Sequence, residues 1–320
     1  MGSTLFVTGA TGFIGAALVE RAVAEGSHVR ALTRSAAAAA QLRAGGAEPV
    51  LGDLAAPGAW TRAAASAGAV IHLAQPETFG ARISQARAER YAALRLRMDR
   101  NLLEALGPDG VGRLVYVAGT SYYGPQGPPA RDEDATPEPR GWGRHLAAAV
   151  DLLPAHAARG LPIVEAYPGW VYGPGSWFAE YFLRPLARGW RILAPRAPVR
   201  TVVPVHVEDA AAAVLHLATH GTPGRRYFVV DDRPSPWNEL LALAAHALGR
   251  PLKLLPLPPF LYGLLVGPII HESQGYDTVL TNARLRATGF TPRFPTIDQG
   301  VPDVVARWQS ARRAAEGPAR

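Results

Sequence analysis

Glycines spaced three apart carry the first recognisable chemistry of this chain. Thr8-Gly9-Ala10-Thr11-Gly12-Phe13-Ile14-Gly15 follows the apolar run Leu5-Phe6-Val7 and leads into an amphipathic, helix-patterned stretch from Gly15 to Glu25. Glycines there permit a tight turn and let the backbone approach a pyrophosphate, whose charge meets the free N–H groups and dipole of the helix start. In this strand–turn–helix context the spacing marks Gly9, Thr11, Gly12, Phe13, Ile14 and Gly15 as dinucleotide contacts. The plainer alternative is a glycine-rich turn with no ligand. An NAD site also needs a carboxylate at the end of the second strand for the ribose 2′-OH, roughly 20 residues past the glycines. No acid occurs between Glu25 and Glu48; Thr33 takes the place, Arg34 follows it and Arg30 is near. A guanidinium pairs a 2′-phosphate bidentately and stacks on adenine, so NADP is expected rather than NAD. The competing reading has Arg34 merely capping a solvated strand end.

Such a cradle has to be held by alternating strands and helices, and the pattern supplies them. Strands are expected at His28–Thr33, Pro49–Leu51, Ala69–Leu73, Arg113–Val117 and Pro162–Ala166, and helices at Ser35–Arg43, Arg82–Leu106 and Leu146–Ala158. This alternation implies βαβ units, hence an α/β, Rossmann-type doubly wound parallel sheet. Pro125–Gly141 reads as a loop, in which Asp132, Glu133 and Asp134 form a solvated charge run. Residues 1–175 are expected to form the dinucleotide domain, joined by a returning strand near 201–206 and a helix near 208–219. Residues 176–320 are expected to be mostly a smaller substrate-binding region, with a frayed end after Arg312.

Composition excludes several classes. The chain has 320 residues, 48% of them apolar and 18% charged, which is too apolar for overall disorder. It contains no cysteine, so a disulfide scaffold, a thiolate metal site and a cysteine nucleophile are all excluded. Histidine pairs at metal-ligand spacing are absent too, and no metal is expected. The net charge of +7 comes from scattered arginines with no basic run interleaved with aromatics, which argues against nucleic acid. The start shows no basic region followed by a long apolar stretch, and Phe6 stands where a myristoylated Gly2 would want Ser or Thr. Prolines 256, 258, 259 and 268 break the uncharged run Leu254–Ile270, which reads as a strand end and a buried or substrate-covering helix. A cytoplasmic protein with no membrane partner is expected.

The spacing G-x-x-G-x-x-G, taken with later segments, resembles the extended short-chain dehydrogenase/reductase family that contains sugar-nucleotide epimerases and dehydratases. Gly52-Asp53-Leu54 resembles its adenine-contacting motif, and Val70-Ile71-His72-Leu73-Ala74 its fourth-strand motif lining the cofactor. Pro168-Gly169-Trp170-Val171-Tyr172-Gly173-Pro174-Gly175, Val205-His206-Val207-Glu208-Asp209 and Thr288-Gly289-Phe290 continue the likeness to the C-terminal part. The resemblance implies that Asp53, Leu54, Leu73, Ala74 and Pro168 also contact the cofactor. It implies a small-molecule substrate and a homodimer built on the helices 82–106 and 146–158.

The same resemblance exposes what is missing. The family's tyrosine and lysine, four apart on the helix after the proline-rich loop, are Trp142 and Leu146 here. Its serine after the fifth strand is Gly119, and its asparagine in the preceding helix is Arg95. An indole N–H is no acid near neutral pH, and leucine lowers no pKa. Candidate substitutes are Thr120 and Ser121, where dehydratases of the family place an acidic pair, Tyr122, a phenol in place of valine, and His145, one turn beyond Trp142. Arg95 either holds an anionic group or sits in a surface pair, while His72 and His206 read as structural. The aromatic run Trp177-Phe178-Ala179-Glu180-Tyr181-Phe182 is either core or the lining of an apolar or aromatic cleft. Three readings stay open: an NADP(H)-dependent oxidoreductase on a small organic substrate, a redox-neutral lyase, isomerase or cyclase that keeps the nucleotide, and a non-catalytic NADP-binding sensor.

Overall fold

The computed structural model describes residues 4–77, 82–107 and 111–316, so the reading of Gly2 lies outside the described residues. Seven parallel strands make the central sheet: β1 (Thr4–Thr8), β2 (His28–Thr33), β3 (Glu48–Leu51), β4 (Ala69–His72), β5 (Leu114–Val117), β6 (Ile163–Pro168) and β7 (Arg226–Val229). Their order is β3-β2-β1-β4-β5-β6-β7. The order reverses between β1 and β4, and a crevice outside the carboxyl ends of the strands opens at such a switch point. All residues of β4 and β5 are buried, as expected of inner parallel strands covered on both faces.

One face is packed by α1 (Phe13–Ala24) and by the helix Val207–His220, around Leu5, Val7, Leu18, Val115, Ala213 and Leu217. The alanines of the second helix allow it to lie close to the sheet. The short α2 (Ala36–Ala44) adds Leu42 to this same core, and the opposite face carries α3 (Trp60–Ala65), α4 (Gln85–Ala105), α5 (Arg144–Val150) and α6 (Leu153–Ala158). Phe6, Trp60, Val70, Leu102, Tyr116 and Tyr167 fill that second core. A third cluster, with Tyr172, Phe178, Leu240, Ala244, Val301 and Val305, centres the C-terminal region. Phe178 is fully buried there, so the aromatic run after Gly175 is in large part core.

Several expectations are corrected. The seventh sheet strand is Arg226–Val229; Pro204–His206 instead pairs with Trp170–Tyr172 in a separate two-stranded sheet. The helix expected over 146–158 breaks at Asp151-Leu152, because Pro154 lacks an N–H and its ring cannot follow a continuous helix. Part of the proline-rich loop, Gln126–Arg131, pairs with Thr278–Leu280 as an edge. Glu133 is buried and accepts the Phe228 N–H at 2.7 Å, so it is no solvated charge. The final helix, Ile297–Glu316, runs past Arg312. Leu254–Leu257 is a strand as expected, but the helix Pro259–Val266 leaves Phe260 79% and Leu264 60% exposed instead of burying them. Among the described residues no helix is long and apolar enough to cross a membrane.

Two glycines separate packing from backbone strain. A Cβ at Gly15 would lie 2.0 Å from the Gly9 carbonyl oxygen, whereas Gly26, at φ +81°, has nothing within 4 Å. Gly15→Ala is expected to cost about 3 kcal/mol through overpacking, and Gly26→Ala only about 1 kcal/mol through its left-handed backbone. Denaturant melts of the two variants check the order; equal costs would contradict the packing account.

Candidate functional site

The β1–α1 turn is built by close approach. Gly9 adopts φ +71°, and a Cβ there would sit 2.6 Å from the Ala74 nitrogen, so the ends of β1 and β4 touch at this point. The Gly12 N–H closes the turn on the Gly9 carbonyl at 2.9 Å. Gly12 then caps a 12-residue helix with no side-chain cap bond and no acid in its first turn. Those first-turn amides are the anion-binding end of the helix. Phe13 packs against Gly173, where a Cβ would come within 2.8 Å of its ring. Leu73 and Ala74 adjoin the turn, Ile14 is half-buried and Thr11 is exposed. Pro168 ends β6, buried.

The outer end is open. Arg34 is exposed just past β2 and makes no ion pair among the described residues, while Arg30 is committed to Glu48 at 3.3 Å. Asp53 accepts the Ala55 N–H at 2.8 Å, and the Leu54 carbonyl accepts from Asn101 at 2.8 Å. Uncapped amides and a cradle that a Cβ would fill together fit a dinucleotide pyrophosphate.

At the inner end, Gly119, Ser121, Gly143 and Leu146 lie close together. A Cβ at Gly119 would lie 3.9 Å from Leu146 Cδ1 and from the Pro168 carbonyl, and 3.7 Å from Ser121 Oγ. Gly143 presses so closely on Ser121 that a Cβ would be 1.9 Å from its carbonyl oxygen. Trp142 is half-buried, with its N–H bonded to Ser273 Oγ at 2.9 Å and its ring centroid 5.9 Å from His145. Gly119, Ser121 and Leu146 thus border one another, and Trp142 adjoins them through Gly143 while its ring faces His145. None of Gly119, Trp142 and Leu146 is titratable. Burial holds the His145 imidazole below its ordinary value, against the pull of Glu89. Thr120 is buried in the turn after β5.

Tyr122 is a correction. Its phenol turns to Asp151, at 3.2 Å between α5 and α6, and its ring stacks on Tyr167. Burial and the Asp151 carboxylate raise its pKa. The bulk of the ring belongs to the core under α6, which directs the side chain away from the Gly119 group.

A charged cluster missed in the sequence centres on Asp99 of α4. Asp99 is buried and accepts from Arg95 Nε at 2.7 Å, from His72 at 2.9 Å and from the Tyr116 hydroxyl. His72 Nδ1 lies 2.7 Å from the Thr8 hydroxyl, which also accepts the Ala74 N–H at 3.3 Å. Arg95 is neither free nor in a surface pair: it is buried and gives Nη2 to the Val117 carbonyl at 3.2 Å. Its Nη1 is buried without a hydrogen-bond partner. Burial opposes ionisation of Asp99, but Arg95 and His72 outweigh it and hold the carboxyl at about 2. One turn earlier on α4, Tyr91 packs its ring 4.6 Å from Trp142 and donates its hydroxyl to Gln75 at 3.2 Å. Y-x-x-x-R at 91–95 was the available signal; a search for Y-x-x-x-K passes over it.

Buried histidines give this frame a pH dependence. Burial holds His72 below its ordinary 6.5 despite Asp99, and brings His206 to about 4. The unfolded chain therefore takes up these protons first as pH falls. The stability tied to the neutral rings is complete above pH 6.5 and is lost toward the lower folded values. The melting temperature should drop between pH 6.5 and 4, less steeply in His72→Gln. Parallel profiles for the two proteins would contradict the assignment.

Comparison with known proteins agrees with this architecture. The family model described as the NAD dependent epimerase/dehydratase family matches residues 5–230. A 3-diazoavenalumate denitrifying reductase from a Streptomyces species is 31% identical, over 93% of this chain and 98% of that protein. The 2-alkyl-3-oxoalkanoate reductase of Stenotrophomonas maltophilia is 28% identical, over 77% of this chain and 76% of its own. In fold, a human epimerase family protein solved with NADPH superimposes with a TM-score of 0.77 at 23% identity, covering 95% of this chain and 99% of that one. The chain belongs to the NAD dependent epimerase/dehydratase family.

Proposed function

We propose that this protein is an NADP(H)-dependent reductase of a small organic substrate, working without the tyrosine–lysine pair of its family. The absence of a titratable side chain at Gly119, Trp142 and Leu146, together with the close-packed glycine turn at Gly9, Gly12 and Gly15, carries the reading. The names of the two relatives, a denitrifying reductase and an oxoalkanoate reductase, support reduction of a small organic molecule over sugar-nucleotide chemistry. Gly9, Gly12 and Gly15 would hold the pyrophosphate, Arg34 the 2′-phosphate, and Leu73, Ala74 and Pro168 the nicotinamide half. When bound, the reduced nicotinamide supplies a hydride. Around the acceptor, Ser121 offers a hydroxyl to a substrate oxygen, and Trp142 with His145 offers an aromatic wall that suits a flat or aromatic substrate.

The test is incubation with NADPH and a panel comprising a 3-oxo ester, phenanthrenequinone, an aromatic enoate and an aromatic diazo carboxylate. Loss of nicotinamide absorbance matched one to one by reduced product is the expected result. Product without NADPH loss would turn the reading to a redox-neutral enzyme, and binding with no product would turn it to a sensor.

Arg34 tests the cofactor separately. A charge-assisted hydrogen bond contributes about 1.5–3 kcal/mol, so Arg34→Ala should weaken NADPH about 10- to 100-fold and leave NADH nearly unchanged by fluorescence titration. Equal weakening of both would remove the 2′-phosphate assignment.

A further inference from the structure

Reduction of an oxo or enoyl group consumes a proton as well as a hydride, and the usual donor has been replaced. The structure holds a second phenol next to that vacated position. Tyr91 lies with its ring 4.6 Å from Trp142, the residue standing where the family tyrosine belongs. Its hydroxyl meets Gln75, the exposed residue directly after Ala74, and Ala74 abuts Gly9 of the cradle. The phenol oxygen is therefore one hydrogen bond from an exposed residue that directly follows the strand end bordering the glycine turn. Four residues on, Arg95 occupies the same helix face, buried, with Nη1 lacking a hydrogen-bond partner. Its position is fixed by Asp99 and by the Val117 carbonyl, two residues before Gly119.

We propose that Tyr91 is the proton donor of this site, with Arg95 as the cation that stabilises its phenolate. This rests on the reductase reading above and narrows the substrate to an oxo or enoyl compound. In an oxo compound the carbonyl carbon accepts the hydride and forms a C–H bond, while the π pair passes to oxygen. That oxygen takes the Tyr91 proton as the phenol O–H breaks, and solvent water reprotonates the phenolate at the Gln75 mouth. Arginine suits the role because it stays charged at every working pH and Asp99 prevents it from swinging away. Burial keeps the phenol above its ordinary value against the pull of Arg95, so the hydroxyl is protonated and able to donate at neutral pH. The charged groups that act on it are Arg95 and Asp99 on α4; behind Asp99 stand His72 from β4 and Tyr116 from β5, and beyond Trp142 stands His145 from α5, under the pull of Glu89.

The experiment follows NADPH oxidation by phenanthrenequinone in wild type and Tyr91→Phe, with NADPH affinity and melting temperature measured beside it. Tyr91→Phe should lower kcat about 10²- to 10⁴-fold, the usual range for a lost general acid, with NADPH affinity and melting temperature unchanged. Replacing Tyr91 by the more acidic 3-fluorotyrosine should move the alkaline limb of kcat to lower pH. In the free protein it should move the matching phenolate absorbance step the same way. A Tyr91→Phe protein that keeps kcat within threefold, or that loses affinity and stability together, would overturn the proposal. Turnover of the diazo carboxylate alone would overturn it and leave the reductase reading standing, because departure of dinitrogen balances the hydride without a proton. Failure of the whole panel would remove both.

Discussion

The buried charge of Asp99 is the constraint on which the crevice depends. A carboxylate with no solvent exposure has to be compensated by partners drawn from several elements, and here they come from α4, β4 and β5 at once. Burying such an ion pair costs nearly as much as the attraction returns, so its yield is orientation more than net stability. Arg95 is pinned under the end of β5, His72 under the end of β1 through Thr8, and the three strand ends that border the crevice are thereby held in register. Removing the carboxylate alone would leave Arg95 as an uncompensated buried cation, so the cluster stands or falls as a unit.

Much of the frame was readable because local rules and tertiary structure agree in it. β2 occupies His28–Thr33 as its pattern requires, and Ser35 caps α2 through the Ala38 N–H at 3.1 Å. The glycine spacing foretold the β1–α1 turn because only a missing Cβ permits the approach of Gly9 to Ala74. What escaped depends on neighbours distant in sequence. Gln126–Arg131 becomes a strand only because Thr278–Leu280 runs beside it, and α3 is a short helix anchored by a single fully buried Trp60 against Gly52. The direction of Tyr122 could not be read either, since Asp151 enters its surroundings only where the helix breaks.

The candidate site divides along the same line. Its cofactor end uses backbone, and backbone requirements leave glycines at fixed spacing. Its chemical end uses side chains whose meaning depends on what faces them. Arg95 in isolation reads as one arginine among many; buried beside Asp99, with Tyr91 a turn away, it becomes part of a charged floor. Gly119 and Leu146 carry no chemistry in the sequence, and acquire their significance from standing 3.9 Å apart at the place a Cβ would occupy.

Trp142 also shapes the packing around it. An indole is wider than a phenol, and Trp142 is held from two sides, by Ser273 on its backbone N–H and by Tyr91 against its ring. A tilted aromatic contact of this kind contributes roughly 0.5–1.5 kcal/mol beyond the area it buries, and it fixes ring orientation. Trp142 therefore helps to order the Tyr91 ring, whose hydroxyl meets Gln75. Trp142, on the turn that leads into α5, is thus one of the groups that set the orientation of the phenol on α4.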